Sequence, residues 1–258
     1  MIKEFFGIGG YQRVPEGAYS WQHLLFVTSL MVVMVALAVW LGRKNKNKEL
    51  AVKNKVLIWS AILIDGAELL KIILSCSQDP ESWRVMLPLF LCSIQLIAIP
   101  LAAFSKGRIE QAALDFVSIF GLLGAVLGTY GAAQNYNAYP VLSFTNVVSG
   151  FTHTLSGFAA LYIMISGMAS MKRKNVWITF AILLGFCVAA YTANILLDYN
   201  YMFLMAGDGT PYDILYNLCS GSKIWYPVSV VALFLVYICI FYSVCWLVKR
   251  KAKAGAAV

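Results

Sequence analysis

Three ionisable residues stand in an otherwise apolar stretch: Asp65, Glu68 and Lys71, within the string IDGAELLKI at 64–72. A spacing of three suits a helix, where about 100° per residue gathers them into a sector roughly 120° wide. One ionised side chain at the centre of a membrane helix costs roughly 2.5–3.5 kcal/mol, so three within two turns must have partners. Glu68 and Lys71 form an i,i+3 pair and neutralise each other in part. Two roles fit such a set. It is either an ion network that joins helices or the charged wall of a cavity that holds a ligand.

Other chemistry-bearing residues fall at comparable depths. His153 is the acid–base candidate, because an unperturbed imidazole titrates near neutrality. Cys92 is the candidate nucleophile, at nearly the same expected depth, as a Cys–His pair requires. Glu68 would orient or charge-balance that pair, and Lys71 or Asn194 would polarise a carbonyl. The candidate ligand-binding residues are Asp65, Lys71, Gln95, Asn194, Asp198 and His23, although His23 equally suits an interfacial position. Asn146 and Thr152 add hydrogen-bonding capacity. The inner half is poorer in polar groups, chiefly Asp115. This one-sidedness favours a pocket open to the outside over a continuous transport path. The cysteines lack metal-type spacing, so neither a metal nor another cofactor is expected. Cys76 and Cys219 both fall on the expected outer side and could pair.

These residues need elements to hold them. The chain has 258 residues, 60% hydrophobic and 12% charged, whereas a soluble domain carries about 25% charged residues. Lipid must be its main solvent. Runs of about 20 apolar residues predict seven helices, near 20–41, 56–76, 86–104, 112–130, 143–169, 176–197 and 225–248. The expected fold is all-α, a polytopic membrane protein forming a single domain over 1–258. Pro88 is expected in the first turn of the third span. Gly121, Gly124 and Gly128 give the fourth span a small-residue stripe for close helix packing.

Charge sets the orientation. Of the 20 Lys and Arg, all but Lys3, Arg13, Lys71, Arg84 and Lys223 fall in alternate connections or the C-terminal tail. Cytoplasmic loops carry the basic excess, so the N-terminus is expected outside and the C-terminus in the cytoplasm. Seven spans satisfy that parity. The seven Trp fall near expected interfaces. The net charge of +8 is spread over short loops on one face, which suits anionic lipid and excludes a nucleic-acid partner. Residues 1–19 are too polar for the core of a cleaved leader, so the first span is expected to remain as an anchor. The segment 199–224 is aromatic and contains Gly207, Gly209 and Pro211. It is expected to cap the outer mouth or re-enter the membrane.

Several strings stand in a telling order: WQHLLF at 21–26, IDGAELLKI at 64–72, MLPLFLCS at 86–93, GFTHTLSG at 150–157 and DYNYMFL at 198–204. Together they resemble the bacterial YwaF-type integral membrane proteins, whose eukaryotic relatives are the transmembrane-protein-164 family. That resemblance implies a seven-helix fold in a bacterial plasma membrane. Through the eukaryotic branch it also implies phospholipid acyl transfer by a Cys and a His, with a lipid acyl chain as substrate. His153 matches the family His, Glu68 its acidic residue and Pro88 its proline. Phe90 stands where YwaF-type sequences carry a His, and Leu89 where the eukaryotic Cys lies. Cys92 follows one turn later.

The leading expectation is a membrane protein with an outward-facing polar pocket that binds or processes a lipid, by acyl transfer or hydrolysis. The alternatives are a non-enzymatic ligand-binding or transport-like protein, and a structural subunit of a membrane complex. Membrane lipid is the expected partner. The sequence names no protein partner or oligomeric state.

Overall fold

The computed structural model describes residues 2–255; the ends of the expected 1–258 domain, Met1 and 256–258, lie outside the described residues. The protein is all-α, with helices α1 (Ile2–Phe6), α2 (Trp21–Asn45), α3 (Leu50–Gln78), α4 (Trp83–Met86), α5 (Gln95–Phe104), α6 (Arg108–Leu127), α7 (Ala133–Ala138), α8 (Phe144–Ser166), α9 (Val176–Leu197), α10 (Tyr212–Leu218) and α11 (Trp225–Gly255). Five helices among the described residues are long and apolar enough to cross a membrane: α2, α6, α8, α9 (with the turn before it) and α11. At 29 residues α3 is long enough, but Asp65, Glu68 and Lys71 set it apart from those five. The chain divides into two compact units, Met1–Ala169 and Ser170–Val258.

In the first unit α8 lies against α2, α3 and α6, while α5 lies against α3 and α6. Apolar periodicity explains the partition. α2 buries the stripe Val27, Met34 and Ala38 and leaves Leu25, Val32 and Val33 exposed to lipid. α6 and α8 are buried on most sides. Small residues bring these helices close. A Cβ at Gly121 would fall 2.7 Å from the Ser156 carbonyl oxygen, and one at Gly157 would fall 2.6 Å from Ala125. Hydroxyls buried on α6 and α8 donate back to their own helix, Ser118 to Leu114 and Ser156 to Thr152. The α2–α3 connection is tied to α8 by side chains. Asn45 donates to the Tyr162 hydroxyl at 3.1 Å, which donates to the Lys53 carbonyl at 3.0 Å.

The third expected span is not one helix. Pro88 disfavours the helical conformation at the residue before it, and Leu87 is extended (φ −60°, ψ 139°), ending α4 at Met86. Residues 87–94 run as turns, and α5 begins only at Gln95. Pro88 therefore breaks the span instead of opening it. Ten residues of α5 rise about 15 Å, half the thickness of the hydrocarbon layer.

In the second unit α9 and α11 pack together, joined by a Thr179–Tyr242 hydroxyl pair at 2.9 Å. The segment between them is compact. A tight turn at Tyr201–Phe203 precedes α10, and the Tyr226 hydroxyl donates to the Phe203 carbonyl at 2.6 Å. All six cysteines are free thiols, Cys76 and Cys219 included.

Candidate functional site

Lys71 is the buried cation of the first unit. Its ammonium pairs with Glu68 at 2.5 Å, both side chains being only 12–13% exposed. The Cys92 thiol, in the unwound 87–94 segment, and the His153 imidazole, on α8, both pack against the glycines at the end of α6. Three elements supply these groups: the C-terminal half of α3, the unwound 87–94 segment and α8. Cys92 and His153 are each half-buried.

The glycines of α6 make room for them. A Cβ at Gly128 would fall onto the His153 ring, while one at Gly124 would lie 3.6 Å from the Cys92 Cβ. The small-residue stripe thus serves the site as well as helix packing. The sequence carried its spacing but not what faces it.

Gln95 lies one turn beyond Cys92, in the first turn of α5. It is fully buried, and neither its Nε2 nor its Oε1 finds a partner among the described residues. One carboxylate oxygen of Asp65, nearly two turns before Lys71 on α3, is likewise buried without a partner among the described residues. Leaving such groups unpaired costs about 1–3 kcal/mol each, a cost that a bound polar group would remove. Asp115 is buried on α6.

His23 sits elsewhere in the first unit, with both ring nitrogens occupied. The Tyr19 N–H donates to Nδ1 at 3.0 Å, and Nε2 lies 3.1 Å from the Thr129 carbonyl oxygen. Because Nδ1 accepts, Nε2 carries the proton. The ring also lies 3.9 Å from that of Tyr136. Asn146 donates to the carbonyls of Tyr139 and Pro140, both at 3.0 Å. In the second unit Asn194 donates to the Tyr201 carbonyl at 3.1 Å and accepts the Tyr201 N–H at 2.6 Å. Asp198 closes α9 in the left-handed conformation (φ 50°). The His23, Asn146 and Asn194 side chains thus hold backbone.

Fold and cluster together define a class: an all-α, multi-pass membrane protein with an ion pair, a thiol and an imidazole inside its helical layer. The match to the model of the TMEM164 family over residues 18–242 makes the assignment specific, and the chain belongs to that family. Among curated proteins and among solved structures, none matches the chain.

Proposed function

We propose that the protein binds a membrane phospholipid at an outward-facing polar site and processes its acyl ester, by transfer or hydrolysis. The observation that carries this reading is a convergence on one stretch of chain: Gly128 abuts the His153 ring and Gly124, one turn earlier, the Cys92 Cβ, while α3 supplies the buried Lys71–Glu68 pair. In this reading His153 is the base or acid, Cys92 the nucleophile and Glu68 the charge that keeps Lys71 and the imidazole in register. Lys71 and the Ser93 amide polarise the ester carbonyl, and Gln95 and Asp65 hold polar groups of the substrate. Non-helical backbone at membrane depth is tolerated where it is buried in protein or lines a cavity, so the unwound 87–94 segment favours a cavity here. Loss of the eukaryotic cysteine to Leu89 makes Cys92 the thiol in play. Both His23 nitrogens and the Asn194 amide are already bonded, which favours leaving them out of the ligand set.

The same reading includes seven spans in one domain, an external N-terminus, a cytoplasmic C-terminus and a bacterial plasma membrane. Labelled phospholipid incubated with purified protein tests it, beside His153→Ala and Cys92→Ala. Acyl release that falls in both variants is the expected result. Equal release in all three proteins removes the site. Saturable lipid retention without turnover, lost in Glu68→Gln, would favour the non-enzymatic ligand-binding alternative.

A further inference from the structure

The N-terminal segment before α2 folds back onto the outer ends of α3 and α8. The Gln78 amide donates to the Phe6 carbonyl at 3.3 Å. The rings of Phe5 and Phe6 lie 5.9 and 5.1 Å from that of Phe144, the first residue of α8. Gln78 is seven residues beyond Lys71, hence on the same face of α3 and about 10 Å further out. An aromatic bridge therefore crosses from α3 to α8 above the charged cluster.

The bridge is held by bonds that can open. The Glu4 carboxylate accepts the N–H groups of Arg13 at 3.0 Å and Gln12 at 3.4 Å, both at the exposed surface. Gly7, Gly9 and Gly10 all take positive φ, between 67° and 88°, a conformation glycine adopts without strain. A short helix on a glycine hinge, fastened by exposed bonds and a few ring contacts, belongs to the low-stability part of a fold from which lids are drawn.

We propose that α1 (Ile2–Phe6) is an aromatic lid over the outer entrance between α3 and α8, hinged at Gly7, Gly9 and Gly10 and latched by Glu4 to the backbone of Gln12 and Arg13, so that a ligand reaches Cys92 only when the lid lifts. This rests on the outward-facing site described above. When raised, the lid presents Phe5 and Phe6 to the entrance, surfaces suited to an acyl chain.

The test measures how fast an anionic, membrane-impermeant thiol reagent modifies Cys92 from outside intact cells. The full chain keeps Cys92 as its only cysteine. Phe5→Ala/Phe6→Ala should raise the rate about tenfold, and Glu4→Gln should raise it in the same direction. A parallel chain whose only thiol is Cys187, buried in α9, must stay unmodified if the variants are folded. Should the double variant unfold, Glu4→Gln decides alone. Modification from outside at the wild-type rate in the folded variants overturns the lid but leaves the outward-facing site intact. Modification from the cytoplasmic side alone overturns both.

Discussion

His23 and Gln95 are both fully buried polar side chains, and they behave oppositely. Every hydrogen-bonding atom of His23 is spent on backbone, so His23→Ala leaves an orphaned Tyr19 N–H and a void beside Tyr136. A loss of about 2–4 kcal/mol is expected, read as a lower thermal midpoint in detergent with lipid turnover retained in the surviving fold. Gln95→Leu removes two unpartnered atoms instead. The ligand-free protein should be unchanged or more stable by about 1–3 kcal/mol, while phospholipid retention falls. Equal loss of stability in both variants would make Gln95 structural. For the ion pair, Glu68→Gln or Lys71→Met alone should cost about 3–5 kcal/mol, because either leaves a charge uncompensated, whereas replacing both by apolar residues should cost far less. Chemical unfolding of the singles and the double measures this coupling. The sequence could nominate both polar residues but not separate them, because the partners of His23 lie at Tyr19 and at the distant Thr129.

Helix α6 gives the sharpest contrast between neighbouring substitutions. Gly124→Ala adds a methyl at ordinary contact distance from Cys92 and should be tolerated. Gly128→Ala drives a methyl into the His153 ring, so about 1–3 kcal/mol of overpacking strain is expected together with loss of turnover. Comparable turnover in the two variants would mean that the imidazole is free to move aside without consequence. The N-terminal segment carries a pH signature of its own. Burial pushes the Glu16 carboxyl up, but the Val141 N–H at 2.8 Å and Arg13 more than offset this and hold it below its ordinary value. A group so depressed contributes stability above its unfolded pKa and loses it as pH falls through the folded one. Amide exchange at Val141 should therefore accelerate only below the ordinary glutamate range, and Glu16→Gln should abolish that dependence. The break at 87–94 was less legible, since hydropathy registers apolarity and not whether the backbone is wound. Pro88 was the available signal, and its effect falls on Leu87, which is driven out of the helix.

At the scale of the whole molecule, the charge pattern needs only counting, which is why the membrane class is plain in the sequence. Among the described residues five helices meet both length and apolarity. α3 departs because it carries three charged residues within two turns, and the 83–104 stretch because it unwinds at 87–94. In the proposed function both departures serve the lipid site. The cluster was harder to read, because spacing places Asp65, Glu68 and Lys71 on one face but cannot say that His153 and Cys92 pack against Gly128 and Gly124. Photoaffinity mapping reaches that point most directly. A phospholipid with a photoreactive group at the carboxyl end of one acyl chain would be activated in membranes and its adducts located by peptide mass spectrometry. A lipid seated beside Lys71 predicts adducts within 87–95 and 150–157, suppressed by excess unlabelled phospholipid. Adducts confined to exposed faces such as Val32, Leu63 and Leu184, and insensitive to competitor, would contradict a lipid site inside the helices.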